Sequence, residues 1–387
     1  MGLAARAAMR PSALLRPINV GFLTPHNPHD LSAFSGTAHA AWQALSQQPG
    51  VKARLLGAHK PMRFQERLVR KLKGAPAASV TVDADEFEGL DAVVGLVATK
   101  LVDYLPRDLP YLHVTDATPG FLAEFYGSNG SAEATRRELH AVRRASITVY
   151  SSEEMVARSK TELFGRGPIQ AVAVPFGVNL EPSPFKLPRR TSGRFKMLMV
   201  ASNWSRKGGE IALQALRQLR SDGVDADLTV VGDMPKACRN EAGVSYAGWL
   251  NKAKPRQLRR LQHLMACSDV FVLPTRADCT PMVLAEAMAH GLPVVATDIG
   301  GIRSLVTPAT GRLLPLSAGA PDWAGVLRQL AEAPEERALM AEAGVDRATT
   351  RLSWSTWATD IAALTRSVVV GAAAERSHIQ SQISVHS

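Results

Sequence analysis

The stretch Val270–Asp298 reads VFVLPTRADCTPMVLAEAMAHGLPVVATD and contains two short apolar runs separated by a helical segment. Thr280 is suited to cap the start of the helix, and Pro281 fits its first turn, where the missing N–H of proline costs nothing. Gly291 and Pro293 then end the helix, because glycine accepts a left-handed backbone and proline cannot continue the helix. The pattern predicts two buried parallel strands joined by a helix.

The start of this helix has the features of a nucleotide site. Met282 and Val283 present free N–H groups at the positive end of the helix dipole. Glu286 follows them by four and three residues and therefore shares their face of the helix. Its carboxylate accepts two hydrogen bonds, which suits the vicinal hydroxyls of a ribose. Asp278 stands in the preceding loop, where it could hold sugar hydroxyls. Taken singly, Asp278 and Glu286 would each also fit a surface position. Their spacing around the helix start favours a nucleotide site.

Short apolar runs alternate with amphipathic segments along the whole chain, a pattern typical of parallel α/β domains. The strands predicted in the first half are Ile18–Leu23, Ala53–Leu56, Ala92–Val97, Tyr111–Thr115, Ile147–Tyr150 and Ala171–Val174. Those predicted in the second half are Lys196–Ala201, Asp227–Val231, Ser245–Ala247, Val270–Leu273, Pro293–Ala296 and Gly311–Leu314. Two such halves enclose a cleft, and parallel sheets bind ligands at the carboxyl ends of their strands.

This organisation divides the chain into six parts. We predict a basic extension at residues 1–17, a first Rossmann-like domain at 18–180, a linker at 181–193, a second Rossmann-like domain at 194–352, a C-terminal helix at 353–369 and a disordered tail at 370–387. The predicted fold class is α/β, with two parallel sheets facing a central cleft. The C-terminal helix is compatible with a return to the first domain.

Two further loops have the features of phosphate sites. In the segment Lys196–Leu216, Arg206 and Lys207 follow a predicted strand and precede a glycine pair that opens a helix. Two cations beside a helix N-terminus favour a diphosphate site, and a solvated basic loop is the alternative. In the first domain, Gly36 precedes a predicted helix and allows a close approach of a diphosphate or sugar to the backbone.

The composition excludes several classes of protein. The chain has 45 Lys+Arg against 35 Asp+Glu, a formal net charge of +10, but it lacks the aromatic and helix-turn-helix patterns of nucleic-acid binders. Its three cysteines have no C-x-x-C spacing, which favours a reducing compartment. The first residues lack the apolar run of a signal peptide, and no apolar stretch is long enough to span a membrane. We therefore expect a cytoplasmic protein.

The run from Asp278 to Glu286, followed by Ala-Met-Ala and then PVVATDIGG, resembles the signature of the retaining family 4 glycosyltransferases (GT4) of glycosyltransferase group 1 type. That family usually has glutamate at the first acid, so Asp278 is shorter by one methylene. The resemblance implies a GT-B fold and a metal-independent, retaining transferase of the hexosyltransferase type. It also implies a nucleotide diphospho-sugar as co-substrate, most simply UDP- or GDP-linked, and an unidentified hydroxyl acceptor.

The resemblance also assigns roles to residues. It implies catalytic or sugar-side positions for Asp116, His113 and Asp278, with Asp116 favoured because a strand could bury His113 in the core. It implies a donor site made of Gly36, Arg206, Lys207, Trp249, Leu250, Asp278, Thr280, Pro281, Met282, Val283 and Glu286. Trp249 is equally compatible with packing in the core. No metal and no other cofactor is expected, since Lys207 and the helix N-termini are available for the diphosphate.

Other interpretations remain open from the sequence. The basic segment Met62–Lys73 is compatible with peripheral contact with an anionic membrane or with a solvated helix face. The fold would also suit a nucleotide-sugar epimerase or hydrolase, or a non-catalytic protein that binds sugar nucleotides. We expect no nucleic-acid partner.

Overall fold

Two parallel sheets of six strands each form the framework of the protein. A computed structural model describes residues 16–31, 33–57, 80–127, 132–163, 170–180 and 193–385. The basic extension up to residue 15, the segment Met62–Lys73 and most of the predicted linker lie outside the described residues. All twelve predicted strands are confirmed, with ends that differ by at most two residues.

The first sheet has the order β2-β1-β3-β4-β5-β6. Its strands are β1 Ile18–Leu23, β2 Val51–Leu55, β3 Ala92–Leu96, β4 Tyr111–Thr115, β5 Ile147–Tyr150 and β6 Ala171–Ala173. The helices described around it are α1 Thr37–Gln47, α2 Pro119–Tyr126, α3 Ala132–Arg144 and α4 Glu153–Leu163, with short 3-10 helices at Ala33–Gly36, Ala84–Phe87 and Thr99–Tyr104. The central strands β3 and β4 are buried along their whole length, as expected for a parallel sheet covered on both faces.

The second sheet has the order β12-β11-β10-β7-β8-β9. Its strands are β7 Phe195–Ala201, β8 Ala226–Gly232, β9 Val244–Gly248, β10 Val270–Leu273, β11 Val294–Thr297 and β12 Gly311–Leu314. Its helices are α5 Gly209–Ser221, α6 Pro255–Cys267, α7 Met282–Ala289, α8 Ile302–Leu305, α9 Ala320–Glu332 and α10 Pro334–Thr350, with a 3-10 helix at Lys236–Cys238.

The strand order places a switch point in each sheet. In the first sheet β1 has β2 on one side and β3 on the other, and in the second sheet β7 has β8 on one side and β10 on the other. The loops that follow such neighbouring strands diverge and leave a crevice at their carboxyl ends, where parallel α/β folds bind ligands. The loops after β7 and β10 are those that contain Lys207 and Asp278.

A last helix, α11 Trp354–Val385, returns to the first sheet. Trp357 and Ile361 are at most 1% exposed and pack in the same core as Val20 and Phe22 of β1. The helix continues through residues 370–385, for which the sequence predicted a disordered tail. The difference has a physical reason, since these residues include no proline and open with Val-Gly-Ala-Ala-Ala-Glu, a mostly strong helix-forming run. Within the described part of the chain, no helix has both the length and the apolar character needed to cross a bilayer.

Candidate functional site

A cavity of about 280 Å³ lies where the two domains meet. The predicted site residues that line it are Asp116, Arg206, Lys207, Asp278, Thr280, Pro281, Met282, Val283 and Glu286. Ser35 and Thr37, the neighbours of Gly36, line it from the first domain, and α1 begins at Thr37 as the sequence predicts. The cavity therefore brings together most of the residues that the sequence singled out, from loops distant in the chain.

The loop after β7 packs directly on the loop after β10. Gly208, which precedes α5, has a positive φ of 73°, and a Cβ added there would lie 1.8 Å from the carbonyl oxygen of Pro274. Only glycine fits such a contact, because the backbone is left-handed and the neighbour is main chain. This close approach carries Lys207 to the acid that follows β10.

Two cations and an acid form a compact network at that point. Lys207 Nζ donates to Asp278 Oδ2 over 2.7 Å, and both side chains are more than nine-tenths buried. Thr275 Oγ1 donates to the same oxygen over 2.8 Å. Arg206 lies 3.4 Å from Asp278 Oδ1, donates to the carbonyl of Ala277 over 2.7 Å, and so holds the acid from its other side. Asp278 thus faces the cavity with its charge balanced by protein cations.

Glu286 is fully buried, and its two carboxylate oxygens are in different situations. Oε1 accepts a hydrogen bond from the ammonium of Lys252. Oε2 has no hydrogen-bond partner among the described residues. A buried carboxylate oxygen without a donor is costly for a folded protein. The residue lines the cavity, so this oxygen is an acceptor at the cavity wall without a donor from the described part of the chain.

The start of α7 differs from the sequence prediction in one respect. Pro281 takes the cap position, no side chain caps the helix, and Thr280 does not serve as its N-cap. The Thr280 hydroxyl instead lies 2.6 Å from Ser151 Oγ, which belongs to the first domain. The prediction was wrong because the hydroxyl is used in a contact between the domains. The first N–H groups of α7, at Met282 and Val283, have no acceptor within the helix, and both residues line the cavity.

The two candidates on β4 have different surroundings. Asp116 follows the strand, is half-buried and lines the cavity. Burial raises the pKa of its carboxyl to about 6, and the charges of Glu138 and Asp278 act in the same direction. His113 is fully buried, with Nδ1 2.9 Å from the hydroxyl of Tyr111 and Nε2 3.1 Å from Glu138 Oε1. It does not line the cavity, and its hydrogen bonds make it a polar residue of the core.

The base-side candidates also lie apart from the cavity. Trp249 is 63% exposed, so it does not pack in the core. Leu250 packs against a hydrophobic core cluster to which both domains contribute. Neither lines the cavity.

Lys252 and Tyr126 line the cavity and were not predicted. Tyr126 lies under the guanidinium of Arg206, 5.3 Å from its ring centroid. The sequence does contain a hint of Lys252, because the stretch from Trp249 to Ser268 is basic and has no acidic residue. It does not show which lysine of that stretch points into the cavity. Within the described ranges, no three His, Cys, Asp or Glu side chains are grouped to hold a metal ion.

Comparisons with known proteins point to one class of enzyme. Residues 194–333 match the family model described as "Glycosyl transferases group 1". Glycogen synthase of Mycobacterium tuberculosis is 28% identical over 245 residues, which cover 58% of this chain and 56% of the relative. D-inositol 3-phosphate glycosyltransferase of Corynebacterium aurimucosum is 31% identical over 166 residues, covering 40% of this chain and 39% of the relative. The aligned part thus spans about half, or less, of these relatives' length.

Solved structures share the arrangement of both domains. Sucrose-phosphate synthase from Thermosynechococcus elongatus has 16% identity and a TM-score of 0.65, covering 92% of this chain and all of that one. Anabaena HepE, solved in complex with UDP, has 17% identity and a TM-score of 0.64, covering 90% of this chain and all of that one. The fold is therefore α/β of the GT-B kind, with two Rossmann-like domains.

Proposed function

We propose that the protein is a glycosyltransferase that moves a sugar from a nucleotide diphospho-sugar to a hydroxyl acceptor. The observation that carries this proposal is the buried Oε2 of Glu286, which has no donor among the described residues and lies beside the N-terminus of α7. A ribose hydroxyl is a donor of suitable size and polarity for that oxygen. The match of residues 194–333 to glycosyltransferases and the names of the relatives support the same activity.

The diphosphate would lie between the loop after β7 and the start of α7. Lys207 and Arg206 supply positive charge there, and the N–H groups of Met282 and Val283 supply two donors at a helix N-terminus. In the reaction, the bond between the anomeric carbon and the β-phosphate oxygen breaks, and the acceptor oxygen bonds to that carbon. The acceptor proton leaves with the nucleoside diphosphate. These cations and donors stabilise the negative charge that develops on the leaving group.

The transferred sugar would lie between Asp116 and Asp278. Oδ2 of Asp278 is already occupied by Lys207 and Thr275, whereas Oδ1 has only the long contact of 3.4 Å with Arg206. Oδ1 is therefore the oxygen that a sugar hydroxyl would contact. Asp116 faces the same space from the first domain, at the end of β4.

The finer parts of the proposal come from the resemblance of the Asp278–Glu286 run. They are membership of family 4, retention of configuration, metal independence and a UDP- or GDP-linked hexose donor. Gly36, Trp249 and Leu250 belong to the proposed donor site on the same ground. A cytoplasmic location and contact of Met62–Lys73 with an anionic membrane surface complete the proposal, and that segment lies outside the described residues.

A panel of nucleotides and nucleotide sugars tests this function. Isothermal calorimetry with UDP, GDP and ADP, followed by the matching glucose and mannose conjugates, is expected to show one preferred base and consumption of its sugar conjugate with acceptors. Absence of binding by all of them would overturn the proposal. Release of free sugar with no transfer to any acceptor would indicate a hydrolase, and binding without turnover would indicate a non-catalytic binder. No observation on this chain favours either alternative.

A further inference from the structure

A turn with an unusual backbone forms part of the cavity wall. Phe34 and Ser35 have positive φ angles of 49° and 59°, and Gly36 follows with 88°. Residues other than glycine rarely adopt this left-handed conformation, and two in succession require support from their surroundings. Phe34 and Ser35 both line the cavity. The conformation of this turn, Phe34–Gly36, therefore determines part of the shape of the cavity.

The support comes from the side-chain amide of Asn179. Its Nδ2 donates to the carbonyl oxygen of Ser35 and contacts Thr37 Oγ1, both over 3.0 Å. Its Oδ1 accepts from Trp354 Nε1 over 2.9 Å. The amide orientation follows from its partners, because a carbonyl can only accept and an indole N–H can only donate. The side-chain amide of Asn179 therefore supplies the donor that the Ser35 carbonyl and the Thr37 hydroxyl accept, and the acceptor that the Trp354 indole N–H needs.

Asn179 also stands where the chain passes between the domains. It lies just after β6, at the start of the first crossover, and Trp354 opens α11 at the second crossover. The neighbouring residues pack the two crossovers together: Val178 N donates to the Leu352 carbonyl over 2.8 Å. A Cβ on Gly177 would lie 2.3 Å from the backbone nitrogen of Trp354. One amide therefore joins the cavity turn to both connections between the domains.

We propose that Asn179 is a positioning residue, which holds the turn Phe34–Gly36 against the cavity and couples it to the two crossovers. The inference rests on the proposed function for the identity of the ligand. The turn belongs to the first domain, whereas Glu286, Lys207 and the start of α7 belong to the second. The turn therefore acts on the sugar side of the donor, and the nucleotide is held without it.

Two variants test separately the bond from Asn179 to the turn and the bond from Asn179 to Trp354. In Asn179→Asp, a carboxylate oxygen replaces Nδ2 and faces the Ser35 carbonyl, so that bond is lost while the bond to Trp354 remains. In Trp354→Phe, a smaller aromatic ring remains, and the bond to Asn179 is lost together with part of the packing on Phe176 and Trp357. Asn240→Asp is the matched control, since Asn240 is exposed and lies outside the cavity.

The first measurement needs no ligand. Hydrogen exchange of the peptide covering residues 33–40 is expected to speed up about tenfold in Asn179→Asp, because local opening becomes easier, and to stay unchanged in Asn240→Asp. Trp354→Phe is expected to have a smaller effect on this peptide, since the Ser35 bond persists. Unchanged exchange in Asn179→Asp would overturn the proposal, whatever the protein binds.

The second measurement uses calorimetry with UDP, GDP, UDP-glucose and GDP-mannose as probes. In Asn179→Asp the affinity for the conjugate that the wild type prefers is expected to fall about tenfold, while that for the free nucleoside diphosphate changes by less than about twofold. A merely structural role would lower both affinities together with the melting temperature, and that result would overturn the proposal. If the wild type binds no probe, the proposed function fails, and the exchange measurement still decides whether Asn179 holds the turn.

Discussion

The ammonium nitrogen of Lys207 lies 2.7 Å from Oδ2 of Asp278, in a pair that is almost entirely buried. The sequence assigned the lysine to a diphosphate and the acid to a sugar, and the structure joins them to each other. An anionic ligand that reaches Lys207 must therefore share the cation with Asp278. The pair holds the ammonium group in one position before the ligand arrives, and Asp278 offsets part of its attraction for phosphate.

Replacing Lys207 with Met is expected to affect stability and binding together. Loss of Lys207 leaves the buried Asp278 carboxylate with Thr275 and the more distant Arg206 as partners, and breaking such a pair typically costs about 3–5 kcal/mol. The double variant Lys207→Met/Asp278→Asn removes both charges and is expected to recover much of the stability but none of the nucleotide affinity. Denaturant unfolding and calorimetry measure the two effects, with the exposed Lys236→Met as the control.

If the double variant binds nucleoside diphosphate as tightly as the wild type, the cation is not part of the binding site. If it remains as unstable as Lys207→Met, the ion pair is not the source of the stability loss.

Glu286→Gln keeps the shape of the side chain and removes its charge. One amide nitrogen then replaces a carboxylate oxygen, so either the Lys252 contact or the free acceptor position is lost. We expect the affinity for nucleoside diphosphate to fall about tenfold or more, which corresponds to 1.4 kcal/mol or more. Calorimetry at fixed pH measures this, and Glu332→Gln, at an exposed position, is the matched control. Equal affinities of the two variants would remove Glu286 from the site.

Asp116→Asn is expected to make the protein more stable at high pH. Burial raises the pKa of Asp116 from 3.8 to about 6 in the folded state. The folded protein therefore binds the proton more tightly than the unfolded chain, so the wild type loses stability as the pH rises from about 4 through 6. Asparagine carries no charge and avoids this loss.

The stability difference between Asp116→Asn and wild type should be about 2–3 kcal/mol at pH 8 and vanish below pH 4. Urea unfolding at several pH values measures it, with the exposed Asp346→Asn as control. Sugar transfer should fall in the same variant and, in the wild type, rise with pH through about 6 if the carboxylate is the working form. A stability gain that is independent of pH would contradict this prediction.

His113→Leu is expected to destabilise the fold without changing nucleotide binding. The substitution keeps the site filled with an apolar side chain of similar size but leaves Glu138 buried without its imidazole partner, which should cost about 3 kcal/mol. Thermal unfolding should detect the loss, and calorimetry should give a nucleoside diphosphate affinity near that of the wild type. A stable variant with impaired binding would instead place His113 in the site.

The sequence predicted the strands well because each reads as a short apolar run bounded by polar or glycine-rich segments. It also assigned Arg206, Lys207 and Asp278 to one donor site. The structure brings them together because their loops follow neighbouring strands of one parallel sheet. It could not separate His113 from Asp116 with certainty. The whole of β4 is buried, so the usual alternation between inside and outside gives no signal there.

Contacts between the domains could not be predicted. Thr280 looks like a helix cap when only its neighbours are considered, and its actual partner, Ser151, is 129 residues away in the chain. The left-handed conformation of Phe34 and Ser35 is equally hidden, because neither residue type favours it. Both features depend on packing between residues far apart in the chain, which the pattern of neighbouring residues in the sequence does not predict.

The return of α11 to the first sheet sets the order in which the protein can be completed. All six strands of the first sheet leave the ribosome before the second domain is made. Trp357 and Ile361, which pack under β1, are synthesised after that domain. The half that is begun first is thus finished last. The second domain must acquire its structure beside a neighbour whose apolar surface is still uncovered, so a chain arrested before Trp354 would leave that surface open to chaperones and proteases.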